Sequence, residues 1–179
     1  MDKGLLPRRY AKALYKFATE KKQSETVYKA MRNILAAFET NRELRVTISN
    51  PFVSEHDKAS LIDSAAGMQN SVLEDFVKLL AQNNRLDIMR EAALAYTTLY
   101  RQENNIHLVH ITSAAPLSDA DKKRLTDMIE KHIDGATAEF SFEVNPDLIG
   151  GFVVKLDNES LDASVRNQLD QLRQSLITK

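Results

Sequence analysis

Apolar side chains recur every three or four residues from Leu5 to Tyr100, and only beyond Asn105 does the spacing shorten to two. The first pattern predicts helices and the second strands. Pro7 suits a first helical turn, since it lacks only an amide that would be unpaired there. Tyr10, Leu14, Phe17 and Ala18 then share one face. Ser24 is placed to cap a second helix carrying Val27, Met31, Ile34, Leu35 and Phe38. A short third helix around Leu44 and Ile48 must end before Asn50-Pro51, because a residue preceding proline avoids helical angles. Ser54 with Asp57, and Ser71 with Glu74, read as capping boxes for a fourth and a fifth helix, and Gly67 stops the fourth. Asn83-Asn84 breaks the fifth, since asparagine tolerates left-handed angles. A sixth helix runs through Leu86, Ile88, Met89, Ala92, Tyr96, Leu99 and Tyr100. Six helices with short connections predict a compact bundle.

The C-terminal pattern differs. Ile106 to Thr112 is rich in β-branched residues and predicts a strand. Ser118 and Asp121 form a third capping box, for a helix with Leu125, Met128, Ile129 and Ile133 that Gly135 ends. Ala138, Phe140, Phe142 and Val144 alternate with polar residues as a half-buried strand. Gly150-Gly151 opens a further strand, Phe152 to Leu156, and marks a bulge, a tight hairpin or a close backbone approach. Asp162-Ala163-Ser164-Val165 opens a last helix with Val165, Leu169, Leu172 and Leu176 on one stripe. The expected fold is therefore mainly α. A six-helix bundle over residues 1–105 precedes a small α+β part, β-α-β-β-α, over residues 106–179.

Composition narrows the functions. The chain has 179 residues and a formal net charge of −1 from 24 basic and 25 acidic side chains, which provides no global attraction to nucleic acid or anionic lipid. It has no cysteine, so disulfides, thiolate metal sites and cysteine nucleophiles are excluded. No apolar run approaches the roughly 20 residues of a membrane span, and no secretory signal is expected. His107 and His110 stand three apart in a strand and face opposite ways, while His56 and His132 sit at helix ends, so no metal site is expected. The glycine pair precedes a strand rather than a helix and lacks the spacing of a phosphate-binding loop. Asp57, Glu74 and Asp121 read as caps rather than general acids, and no serine lies in a nucleophile elbow. An enzyme is not expected. Lys3, Arg8, Arg9, Lys12, Lys16, Lys21, Lys22 and Lys29 make the first thirty residues locally basic. A solvated helix face explains them, and an RNA-binding or assembly adaptor is the alternative. The first and fifth helices carry apolar residues on more than one face. Such helices are either fully buried or flank a groove that accepts a partner helix.

Several segments together resemble one family. Arg8-Arg9-Tyr10-Ala11-Lys12-Ala13-Leu14 is similar to the opening signature of the delta subunits of bacterial F-type ATP synthases, relatives of the mitochondrial oligomycin-sensitivity protein. Leu79 to Leu86 resembles that family's helix break, and Ser113 to Ser118 its domain junction. Leu148, Ile149, Gly150 and Gly151, followed by Asp162, Ser164 and Val165, resemble its C-terminal signature. The family often has proline where Arg9 stands and glycine where Asn84 stands.

The resemblance implies a stator: a non-catalytic peripheral-stalk subunit of a proton-translocating synthase, without a cofactor, that keeps the head from turning with the rotor. Residues 1–105 would bind the catalytic head and residues 106–179 the C-terminal helices of the stalk b subunits. By position, Tyr10, Ala13 and Leu14 of the first helix and Lys78, Leu79 and Gln82 of the fifth would hold the N-terminal helix of one head alpha subunit. The place implied is the cytoplasmic face of the cell inner membrane, peripherally and without a span, and no nucleic-acid partner is implied.

Overall fold

The computed structural model describes residues 4–133, 137–156 and 159–177. Gly135 and the side chains of Leu172 and Leu176 lie outside that description. The chain is mainly helical, and it divides into two compact units, Met1–Glu103 and Asn104–Lys179.

The first unit holds α1 (Leu5–Glu20), α2 (Ser24–Thr40), α3 (Arg42–Ser49), α4 (Glu55–Ala66), α5 (Ser71–Gln82) and α6 (Met89–Glu103). A 3-10 turn, Leu86–Ile88, leads into α6. Apolar rows set which faces turn inward: Pro7, Ala11, Leu14 and Ala18 of α1 are buried, as are Val27, Met31, Ile34 and Phe38 of α2. α6 packs on both α1 and α2 through Ala92, Ala93, Tyr96 and Tyr100. The Tyr96 hydroxyl donates to the Ser24 carbonyl at 3.1 Å. Burial pushes the Tyr96 phenol far above its ordinary pKa, with Tyr15 and Tyr100 adding to the shift. Tyr28 stacks on Tyr100 with centroids 4.3 Å apart, and Arg101 Nε donates to the Tyr28 hydroxyl at 2.9 Å. Among the described residues, no helix is long and apolar enough to cross a membrane.

Helix ends follow the expected chemistry at some positions and not at others. Ser54 and Ser118 accept from the amides of Asp57 and Asp121. Gly67 ends α4 in a left-handed conformation, φ 68°. Ser24, however, is already the first helical residue of α2, and no side chain caps that helix. The cap of α5 is Asn70 rather than Ser71: its Oδ1 accepts from the Leu73 amide at 3.0 Å, while its amide group donates to Gln23 Oε1. Asparagine wins because its carbonyl caps the helix while its NH₂ still reaches α2's entry.

The second unit contains β1 (Ile106–Ser113), α7 (Asp119–His132), β2 (Thr137–Val144), β3 (Gly151–Leu156), β4 (Glu159–Ser164) and α8 (Val165–Ile177). A 3-10 turn, Pro146–Leu148, precedes β3. The strands form one mixed sheet in the order β2-β1-β3-β4. β1 and β2 are parallel, joined through α7, whereas β1–β3 and β3–β4 are antiparallel. The fold is therefore β-α-β-β-β-α, one strand more than the β-α-β-β-α expected. Residues 162–164, expected to open a helix, are the end of β4, and α8 starts at Val165. β4 is a mostly polar edge strand whose apolar alternation is limited to Leu161 and Ala163, too short to announce it.

Val109, Ile111, Leu125 and Val154 form the buried core of this unit, with Ile129, Ala138 and Phe140 packed against it. Phe142 and Val144 share the face of Phe140 but are exposed. The side chain that α7 offers to Phe142 is Lys122, whose ammonium lies 5.9 Å from the ring centroid, so the apolar cover ends there.

The glycine pair answers to close approach. A Cβ on Gly151 would lie 2.2 Å from the Ala163 carbonyl oxygen, and its φ is +77°. A Cβ on Gly150 would lie 2.9 Å from Val165 Cγ2.

Two outcomes test these assignments. Gly151→Ala is expected to cost about 2–4 kcal/mol, read as lost amide-exchange protection in β3 and β4 with residues 5–103 unaffected. Wild-type protection there would contradict the close approach. Asn70→Ala should lower stability to urea by about 1–2 kcal/mol, and Ser71→Ala by under about 0.5 kcal/mol. The reverse order would place the cap at Ser71.

Candidate functional site

The apolar stripes of α1 and α5 are wider than their buried rows. On α1, Tyr10, Ala13 and Phe17 flank the buried Leu14, and on α5, Leu79 flanks the buried Val72, Phe76 and Leu80. Phe17 is 37% exposed and Leu79 45% exposed. Between the two flanks lies an open groove of about 290 Å³, lined by Tyr10, Ala13, Leu14, Phe17, Val72, Asp75, Phe76 and Leu79.

Its floor and rim are aromatic. Tyr10 meets Phe76 edge-on, with centroids 6.4 Å apart and planes at 68°. Lys21 places its ammonium 5.7 Å from the Phe17 centroid. Asp75 is the one charged side chain among the lining residues. A larger depression of about 570 Å³ between α1 and α6 is lined by Pro7, Ala11, Leu94, Ala95 and Leu99, but also by Arg8, Lys12, Glu91 and Glu103, so four charged side chains interrupt its apolar surface. The α1–α5 groove is the better match for an apolar helix face.

Of the six positions expected to bind a partner helix, Tyr10, Ala13, Leu14 and Leu79 come together in this groove. Lys78 and Gln82 are exposed on α5 outside the lining. Lys78 Nζ stands 4.0 Å from Asp75 Oδ1, both about two-thirds exposed, a pair worth little in water. Phe17, Val72 and Phe76, part of the surplus apolar surface of the two helices, also line the groove, and Asp75 lines it without having been anticipated. The spacing Tyr10-Leu14-Phe17 and Val72-Phe76-Leu79, at i, i+4 and i+7, is the signal that locates them.

The C-terminal signature residues gather where β3, β4 and α8 begin or end. The Val165 amide donates to the Gly150 carbonyl at 3.0 Å, and Gly151 pairs with Ser164. Asp162 Oδ1 accepts from the Ser164 amide at 2.9 Å, and Ser164 Oγ accepts from the Asn167 amide at 3.2 Å. The hydroxyl and amide of Ser164 hold the Asp162 carboxyl below its ordinary pKa. Leu148 is half-buried, and the exposed Ile149 takes φ +67°. Val165 and Leu169 are exposed on α8. These contacts build the unit and contain no nucleophile–base pair.

Among the described residues, no group of three or more His, Asp or Glu is placed to hold a metal ion. The basic residues Arg8, Arg9, Lys12, Lys16, Lys21, Lys22 and Lys29 are all exposed, as a solvated face requires.

The chain is similar to known proteins over nearly its whole length. The family model described as "ATP synthase delta (OSCP) subunit" matches residues 6–176. An ATP synthase subunit delta of Parabacteroides distasonis is 38% identical over 178 residues, covering 99% of this chain and 98% of the relative. That of Phocaeicola vulgatus is 33% identical over 178 residues, covering 98% and 96%. Among solved structures, a chain of the Toxoplasma gondii mitochondrial ATP synthase hexamer superposes with a TM-score of 0.72 at 23% identity, covering 96% of this chain and 97% of that one, which is a likeness of fold. Nothing in these matches supports the RNA-binding or adaptor alternative. With a family model spanning nearly its whole length and relatives that match from end to end, this chain belongs to the ATP synthase delta (OSCP) subunit family, a structural, non-catalytic component of the peripheral stalk.

Proposed function

We propose that the chain is the stator element that ties the catalytic head of a proton-translocating F-type synthase to its stalk, with the α1–α5 groove as the head-binding site. The observation that carries this reading is an open apolar groove whose lining has a single charged side chain. An amphipathic helix at the N-terminus of one head alpha subunit would lie along it, inserting apolar residues beside Tyr10, Leu14, Phe76 and Leu79. Lys78 and Gln82, one row further out on α5, would meet the polar flank of that helix.

The second unit would grip the C-terminal helices of the stalk b subunits. Its exposed Met128, Phe142, Val144, Leu161 and Leu169 supply apolar surface for such a contact. Two separate attachments raise the effective affinity of the whole linkage well above either alone, which suits a part that must hold under torque. The work is mechanical: it transmits load and makes or breaks no covalent bond. Its place would be the cytoplasmic face of the inner membrane, as a peripheral part of the assembled complex.

Leu79→Asp tests the groove. Leu79 is nearly half exposed, so the fold should survive with an unchanged melting temperature. Affinity for a synthetic peptide of the N-terminal residues of the same organism's alpha subunit should fall at least about tenfold in a calorimetric titration. Unchanged affinity would count against the groove as the binding site.

A further inference from the structure

The helix break after α5 does more than end a helix. Asn84, left-handed at φ 52°, donates to the Ala81 carbonyl at 2.9 Å, and the Arg85 amide donates to the Leu80 carbonyl at 2.9 Å. Together these two bonds make a Schellman closure. The closure fixes where the backbone delivers the next side chain, Arg85. Its Nη1 donates to the Tyr10 hydroxyl at 3.4 Å, and its guanidinium carbon lies 6.0 Å from the Tyr10 ring centroid. Among the described residues, Arg85 forms no ion pair with a carboxylate. Its polar contact is therefore directed at a neutral phenol, and that phenol belongs to the groove wall.

We infer that Arg85 is a positioning residue for the groove: it holds Tyr10 edge-on to Phe76 so that the wall is already shaped before a helix docks. This inference rests on the α1–α5 groove being the helix-binding site. Tyr10 is only partly buried, and a partly exposed tyrosine samples more than one rotamer in water. Phe76 restrains one edge of its ring, and Arg85 restrains both the hydroxyl and the ring. Removing that freedom in advance lowers the entropy lost on docking. Lysine would retain the charge but lacks the planar fork that reaches the hydroxyl while keeping its charge within about 6 Å of the ring.

The test titrates the full-length chain with the alpha-subunit N-terminal peptide. Arg85→Met should weaken binding about three- to tenfold, the effect of freeing one side chain in the wall. In a Tyr10→Ala background the same change should alter affinity by less than about twofold, because Arg85 acts through Tyr10. In tyrosine-labelled protein, the Tyr10 ring resonances should shift in Arg85→Met while those of the buried Tyr96 stay in place. Arg85→Lys should recover only part of the lost affinity. If Arg85→Met lowers the melting temperature by more than about 5 °C, the ring resonances and the Arg85→Lys titration carry the test instead. An equal loss in both backgrounds, or unmoved Tyr10 resonances, would overturn the positioning role. So would unchanged affinity in Arg85→Met while Leu79→Asp still weakens binding, and that result leaves the groove standing. A wild-type chain that fails to bind the peptide would remove the groove and this inference with it.

Discussion

An apolar stripe wider than one neighbouring helix can cover is the constraint on which the surface of the first unit depends. Successive residues on an α-helix are about 100° apart, so positions 7, 11, 14 and 18 of α1 form one row and positions 10, 13 and 17 a second row beside it. The first row is buried. The second has no helix of this unit packed fully over it, and α5 presents a similar unsatisfied flank opposite. Apolar area left open on two facing flanks is a standing gain in free energy for whatever covers it, at about 25 cal/mol per Å² removed from water. The same helices thus hold their own unit together and leave an apolar groove open between them.

The second unit depends on a different constraint, the distance between two backbones. β3 begins beside the end of β4 so closely that only hydrogen can stand on the Gly151 α-carbon. Val165 begins α8 by donating to the Gly150 carbonyl, so the strand's entry and the helix's start are fastened at one point. Asp162 and Ser164 satisfy the amides that such a sharp junction leaves over. The signature residues are therefore structural in what they touch. Further exposed apolar side chains stand on α7, β2, β4 and α8.

How much of this was legible in the sequence depended on whether the deciding interaction was local. Gly67, Ser54 and Ser118 were readable because a cap involves only the adjoining helical turn, the one before Gly67 and the ones after the two serines. Asn70 was not, since its second bond goes to Gln23, forty-seven residues away in sequence. β4 was hidden because its residues are mostly polar and exposed, and pairing with β3 alone makes them a strand. Phe142 was expected inside by alternation, yet the helix that would cover it offers Lys122 at that point. For the groove, surplus apolar residues on α1 and α5 were visible, and four of the six anticipated positions line it. That Lys78 and Gln82 stand outside the lining while Asp75 and Val72 stand within it has a simple cause. Adjacent rows on one helix differ by a rotation that sequence spacing alone does not orient.

By itself the amino-acid sequence determined the helical periods, the change to strand periods after Asn105, the locally closed caps and the absence of cysteine chemistry, because each is set by residues near one another or by composition. Tertiary structure alone decided which of two adjacent apolar rows on a helix is covered, where β4 pairs, why Gly151 tolerates no side chain, and that Arg85 reaches Tyr10 across seventy-five positions. Those outcomes depend on distances between segments remote in the chain, and no local pattern encodes such distances.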